Sequence, residues 1–435
     1  MNIPFVSEKL PNGLDVIIHE DHDCPIVAVN LWYHVGSKNE RRGRTGFAHL
    51  FEHLMFEGSQ HYDRGYFHPL QEAGAALNGS TNADRTNYWE VVPSSAVELA
   101  LWMESDRMGY LLPALTESKF VNQRDVVLNE RRQNYENRPY GLASMALVET
   151  LYPAEHPYSW LTIGSADDLM ASSLEEVRGF FQAYYHPANA SLTIAGDIGT
   201  KEAIELARQY FEEIPGAPYP PEVQVPQPSV TAEHRLLLED RVELPRIYIA
   251  WHSPGLFESG DAELDLVAEM LAGGKTSRLY RTLVYETRTA TEIAASQNSR
   301  ELSSFFQIVA TAAPGRMLAE LERIIRAELD RFIAQGPEPA ELERAMAQAE
   351  VHFVQRLQTV GGFGGKSDQL NAYNTFLGSP DYFSADLDRY RTATRESIQA
   401  AAAKFLNPSQ RVILSVVPRG RLALALPDSQ PVSVT

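Results

Sequence analysis

Apolar and polar positions alternate with a period near two along residues 14–35, which predicts strand. From 46 to 57 the apolar residues recur at helical spacing instead, and 84–93 returns to a strand pattern. Residues 95–109 and 117–136 then read as helices, followed by helix at 174–186 and strand at 190–196. Strands followed by runs of helix predict an α+β fold, a mainly antiparallel sheet with helices on one face.

The pattern recurs once. "CPIVAVNLWYHVGS" (24–37) is answered by "LPRIYIAWHSPG" (244–255), with Pro25 against Pro245, Trp32 against Trp251 and Gly36 against Gly255. "NYWEVVP", ending at Pro93, is answered by "FQIVATAAP", ending at Pro314. A helix, Asn/Pro turn and strand at 173–197 reappears at 394–418, pairing Pro187 with Pro408. All these offsets lie between 219 and 221, which implies a duplicated domain. Between the copies, "GAPYPPEVQVPQPSV" (216–230) holds five prolines and suits an extended linker. The expected organisation is therefore a half at 1–215, a linker at 216–230 and a related half at 231–435.

One helical stretch breaks its own pattern. In "GFAHLFEHLMFEGS" (46–59) two histidines and a glutamate interrupt an apolar run. His49 and His53, at i and i+4, share a helix face, and Glu52 lies beside them. Two neutral imidazoles one turn apart can both bind Zn²⁺, a borderline cation suited to nitrogen donors. A neighbouring carboxylate can accept the proton of a water that the metal acidifies, so Glu52 is the candidate general base. The order H-x-x-E-H is a known zinc-hydrolase arrangement, and the bland alternative is a polar patch on a helix. A third ligand is required. The helix expected at 117–136 offers Asp125, Glu130 and Glu136, and spacing alone does not choose among them.

Composition narrows the classes. At 435 residues the chain is too long for one core. Its net charge of −19 argues against nonspecific nucleic-acid binding. No apolar run reaches transmembrane length and none reads as a signal-peptide core, so a cytoplasmic or periplasmic protein with no membrane role is expected. The single cysteine, Cys24, excludes an intrachain disulfide and is expected to be a small buried residue.

Taken together, "HLFEH", "VVLNE" (126–130), "HPYSWLTIGS" (156–165) and "YYHPANASLTIAGD" (184–197) resemble the pitrilysin/insulinase clan of inverzincin metallopeptidases. The similarity is to the branch of mitochondrial processing peptidase and the short bacterial two-subunit peptidases, and it runs through nearly the whole chain. In that family the third zinc ligand is a glutamate about 77 residues after the second histidine, and here 130 − 53 = 77, which points to Glu130. The resemblance implies two related α/β halves that form half of a clamshell, and a zinc endopeptidase acting on extended or unfolded peptides inside a closed chamber.

It also implies roles for other residues. "LNGSTNADRTNYWEVVP" (77–93) resembles the edge-strand region to which substrate adds, so Asn78, Gly79 and Ser80 would offer backbone groups to a peptide. Family members often carry a second glutamate seven residues before the ligand; here Gln123 stands there, keeping a hydrogen bond to the metal's surroundings without the charge. Members that act alone usually carry an arginine and a tyrosine seven apart in the second half. Aligning "SRLYRTL" (277–283) puts Val284 and Thr291 at those places, while Arg278 and Tyr285 each come six residues too early. A second, zinc-less family chain supplying the pair is thus expected, making a heterodimer.

Two G-K-[ST] stretches in the second half, "VGGFGGKS" (360–367) and "EMLAGGKTS" (269–277), lack the first glycine of a phosphate loop and follow helical patterns. Nucleotide chemistry is disfavoured, and 361–365 is expected to be a flexible loop. No histidine lies between His252 and His352, so the second half cannot repeat the zinc motif. The competing class is a noncatalytic scaffold subunit of the same fold.

Overall fold

Six strands form the first sheet: β1 (Val6–Lys9), β2 (Asp15–Glu20), β3 (Ile26–Tyr33), β4 (Ala76–Thr81), β5 (Thr86–Pro93) and β6 (Ala190–Gly196), in the order β1-β2-β6-β3-β5-β4. Only the β2–β6 pairing is parallel. The second sheet comprises β7 (His234–Asp240), β8 (Arg246–Ser253), β9 (Ala290–Asn298), β10 (Ser304–Ala312), β11 (Val412–Pro418) and β12 (Gln430–Pro431), ordered β12-β7-β11-β8-β10-β9. Its five strands after β12 repeat the β2-β6-β3-β5-β4 order, including the one parallel pair of a strand with the last long strand of its half. The fold is two repeated α+β halves, as the sequence repeat implies.

The repeat is offset by one residue from the tryptophan match. Trp32 points its Nε1 at Asp368, 3.0 Å away, whereas Trp251 lies fully buried in the second core with Ile247, Ile249 and Phe306. An offset of 220, the one that relates Pro25 to Pro245, aligns Val29 with Ile249 and Leu31 with Trp251. A one-residue slip exchanges the two faces of a strand, so the tryptophans are not equivalent.

The computed structural model describes residues 2–434, and they divide into two compact units. The first comprises the chain through Asn129, Leu161–Gln224 and His352–Ala385; the second comprises Glu130–Trp160, Val225–Val351 and Asp386 onward. In the first unit, helix Lys366–Leu377 covers β3 and β6 on the face that Trp32 points to. In the second, helix Ala143–Leu151 packs against β8 and β11. Each sheet thus receives one helix from the sequence of the other half. This accounts for β3, "IVAVNLWY", in which seven of eight residues are buried: a strand covered on both faces loses its alternation.

Two expectations change. Cys24 is exposed, because it sits in the turn between β2 and β3 and not in a strand. The 361–365 stretch is no loose loop: Gly361 lies so close to the first sheet that a Cβ there would meet Ala28 Cβ at 2.6 Å and Val91 Cγ2 at 2.5 Å. Among the described residues, no helix is long and apolar enough to cross a membrane.

Candidate metal centre

Helix Phe47–Leu54 buries Phe47, Ala48, Leu50, Phe51 and Leu54 and leaves His49, Glu52 and His53 half-buried. Its start is specified twice. Gly46 is left-handed, at φ 92°, and a Cβ there would also press on the Leu169 side chain and the Ile163 carbonyl. The buried Glu40 carboxylate accepts the Gly46 N–H at 2.9 Å and the Ala48 N–H at 2.8 Å. A negative group there satisfies donors that the first helical turn leaves open and complements the helix dipole.

The i, i+4 spacing brings the two imidazole rings to 4.8 Å between centroids, nearly perpendicular at 85°. Helix Glu117–Arg131 delivers Glu130 at its penultimate position. One ligand atom each from His49, His53 and Glu130 lies within 4.8 Å of the other two. The rival carboxylates go elsewhere. Glu136 pairs with Arg131 at 2.9 Å, and Asp125 is exposed beside Arg124. Immediately after Arg131 the helix widens into a π-helical turn, Arg132–Glu136, and Asn134 Nδ2 donates to Glu130 Oε1 at 3.3 Å. Burial raises the Tyr135 hydroxyl pKa, and the charge of Glu130 adds to the rise.

Around a four-coordinate zinc with bonds of about 2.0–2.2 Å, ligand atoms sit roughly 3.3–3.6 Å apart. The observed spread of at most 4.8 Å is within side-chain adjustment of that figure. Two imidazole nitrogens and one carboxylate oxygen are a donor set that suits zinc. Glu52, on the same helix between the histidines, is outside the three-residue cluster.

β4 is the edge strand of the first sheet. The Asn82 N–H bonds the Arg85 carbonyl at 3.0 Å, a rung of the hairpin just beyond the Thr81–Thr86 pair. Alternation along an antiparallel ladder then turns the N–H and C=O of Asn78 and Ser80 toward β5, and those of Leu77, Gly79 and Thr81 toward the open edge. Of the three residues named from sequence, only Gly79 presents its backbone outward. Asn78 Oδ1 accepts the Gly79 N–H at 2.8 Å, and the Ser80 hydroxyl donates to Asn87 Oδ1 at 2.6 Å. A side chain at Gly79 would press on the rings of Phe56 and Tyr88 at 3.1 Å, so a larger residue would have to displace them. Gln123 donates its side-chain amide to Glu57.

In the second unit, helix Asp261–Ala272 follows β8 as the histidine helix follows β3, and it carries no histidine. Val284 lies in a π-helical segment, Tyr280–Glu286, against the second core. Thr291 is the second residue of β9, with its hydroxyl on the Thr311 carbonyl at 3.4 Å. Arg278 is buried and bound to Glu341, whereas Tyr285 is 77% exposed. Sequence reading missed Asn134 and Glu40. An i+4 search from Glu130 finds the first, but nothing short of the fold finds the second.

Residues 15–159 match the profile described as Insulinase (Peptidase family M16), and 172–349 match the Peptidase M16 inactive domain. The chain is 28% identical over 390 residues to zinc protease PqqE of Helicobacter pylori, covering 88% of this chain and 86% of that one. A crystal structure of a protease from Helicobacter pylori superposes with a TM-score of 0.87 at 24% identity, over 96% of this chain and 100% of that one. The periplasmic protease PqqL of Escherichia coli gives a TM-score of 0.80 at 18% identity, over 98% of this chain and 50% of that one.

Proposed function

The chain belongs to peptidase family M16, and from that premise we propose that it is a zinc endopeptidase hydrolysing extended or unfolded peptides, with a related chain as partner. The observation that carries the reading is the convergence of His49, His53 and Glu130, from two separate helices, beside a fourth residue, Glu52, that stays out of the cluster. Zinc, when bound, supplies Lewis acidity and lowers the pKa of water.

His49 and His53 act as neutral donors and Glu130 as the anionic one, so the donor set carries a single negative charge. Glu52 accepts the proton of the attacking water and passes it to the leaving amine. As a carboxylate fixed on the same rigid helix as two ligands, it needs no rearrangement between those roles. A peptide laid along β4 in the extended form finds the outward backbone groups of Leu77, Gly79 and Thr81, and main-chain pairing of that kind is indifferent to side-chain identity. A segment held in a folded domain has to leave its own packing and pairing before it can lie along β4, which favours peptides and unfolded segments as substrates.

The partner rests on the family resemblance and on one structural likeness. By that resemblance Val284 and Thr291 stand at the places of a peptide-gripping arginine and tyrosine, and the structurally similar PqqL chain is about twice as long as this one. A second chain of the same fold would supply the missing half. A scaffold role without catalysis is disfavoured because such a role has no use for the intact H-x-x-E-H motif.

The test is metal analysis combined with turnover of a 15–30-residue peptide. The wild type should carry one zinc per chain. Glu52→Gln should keep that zinc and lose at least about 10²–10⁴-fold in kcat. Loss of metal in that variant, or retention of most of the rate, overturns the assignment.

A further inference from the structure

The face of the first sheet opposite the histidine helix is polar. Gly79 faces Phe56 and Tyr88, so Ser80, the next residue of β4, faces the other way, together with Asn30, Trp32 and Asn87. Helix Lys366–Leu377 meets this face with Asp368. Its Oδ1 accepts from Trp32 Nε1 at 3.0 Å and from Asn30 Nδ2 and Asn87 Nδ2 at 3.3 Å each. Its Oδ2 accepts the Gly364 N–H at 2.8 Å, which anchors the glycine-rich 361–365 stretch.

From Asp368 the bonds run in a closed ring. Asn87 Oδ1 accepts the Ser80 hydroxyl at 2.6 Å. Ser80 in turn accepts from Arg85 Nη1, at 2.6 Å on its hydroxyl and 2.8 Å on its carbonyl. The Arg85 guanidinium stacks 5.0 Å over the Trp32 ring, and Trp32 returns to Asp368. Asp368 is about nine-tenths buried, and Arg85 is the cation whose charge faces it. Five residues from β3, β4, β5, their hairpin and a helix 280 residues further along the chain are thus locked to one another.

We propose that Asp368 is a positioning residue for the peptide-binding edge. It touches no substrate and acts through Asn87 and Ser80. The outward carbonyl of Gly79 belongs to the peptide unit that joins it to Ser80, so a fixed Ser80 holds that acceptor in the extended geometry that an incoming strand requires. An edge strand is paired on one side only, and without this ring its hairpin end would be ordered by the substrate at the cost of affinity. A buried polar ring in which each of the five members is joined to its neighbours also specifies a single arrangement, which an apolar contact between helix and sheet would not. The inference rests on the peptidase reading for its kinetic consequence alone.

The test uses the full chain with its partner and three variants. Asp368→Asn keeps the shape but replaces one accepting oxygen by an amide, which meets the donors it must serve. Ser80→Ala removes the hydroxyl link. Asn374→Ala removes hydrogen bonds from the same helix to Asp15 and Ser191, away from β4, and serves as the control. Asp368→Asn and Ser80→Ala should each raise KM for an extended peptide about five- to twenty-fold, with kcat and zinc content unchanged. Because both act through Asn87, the double variant should be little worse than either single one. Asn374→Ala should leave KM within about twofold. Hydrogen exchange gives a readout that needs no activity: amides of 76–81 should exchange faster in Asp368→Asn and not in Asn374→Ala. If the zinc-loaded wild type turns over no peptide, the peptidase reading fails, and the exchange comparison still decides the ring. Unchanged KM, fully additive effects, or unchanged exchange at 76–81 overturns the proposal.

Discussion

Arg278 holds Glu341 with two guanidinium nitrogens, Nη2 at 2.6 Å and Nε at 2.9 Å, and gives a third bond to the Gly336 carbonyl at 3.2 Å. The guanidinium also lies 4.8 Å over the Phe332 ring. Its charge holds the Glu341 carboxyl below the usual range against the opposing effect of burial. An arginine committed in this way joins the segment after helix Asp261–Ala272 to helix Pro339–Arg356.

Arg278→Ala should therefore behave as a stability variant. Removing one partner of a buried pair costs about 3–5 kcal/mol. Urea unfolding should register that loss, while kcat/KM of the partnered enzyme at a temperature where it is folded stays within about twofold. A selective collapse of peptide turnover without loss of stability would assign Arg278 to substrate.

The lone chain should be a poor peptidase. Val284 has no side-chain donor, and the short Thr291 hydroxyl is turned to the Thr311 carbonyl, where an arginine and a tyrosine would reach a peptide carbonyl. Purified alone, the chain should bind zinc yet turn over peptide at least about 100-fold more slowly than when mixed with a zinc-less relative carrying that pair, since positioning of substrate supplies much of the rate. Full activity of the monomer or homodimer would remove the need for a partner.

Glu130→Ala should abolish stoichiometric zinc, as should His49→Ala. Competition with a chelator measures this directly. Asp125→Ala and Glu136→Ala should retain the metal at wild-type affinity, because neither carboxylate joins the histidines. Zinc retained in Glu130→Ala would require a different third ligand.

Acid should loosen the second unit first. Burial pushes the His156 imidazole down to about 4, with His252 and Arg300 adding to the fall, and burial also lowers His252. Both rings bind the 143–160 segment: His252 Nε2 reaches the Leu151 carbonyl at 2.8 Å, and the Tyr158 N–H reaches His156 Nδ1 at 3.1 Å. A histidine with a lowered folded pKa binds its proton more readily when unfolded. Its contribution is complete above about pH 6.5 and is lost as the pH falls toward 4. Each such ring steepens the dependence by up to about 1.4 kcal/mol per pH unit. His156→Asn, which keeps an acceptor for Tyr158, should flatten the stability profile between pH 4 and 6.5; an unchanged profile would discount this pair.

The chemistry of the candidate site was legible in the sequence because it is local. An i, i+4 histidine pair with a glutamate between them needs nothing beyond helical geometry, and the interrupted apolar run exposed it. The duplication was legible too, since strand pattern and turn prolines recur at a near-constant offset. The choice of Glu130 over Asp125 and Glu136 lay beyond periodicity, and family resemblance pointed to it before the fold brought it to the histidines. Which backbone groups of β4 face outward was set by the hairpin register, where one residue's shift exchanges the open edge for the paired one. Asp368 belongs wholly to the tertiary structure. Its partners lie some 280 to 340 residues away, and a carboxylate at the start of a polar helix reads as a solvated charge until the sheet it meets proves to be lined with amides and an indole. Short-range order is written in side-chain spacing, but a buried polar contact depends on what the far chain presents, and only the folded molecule decides that.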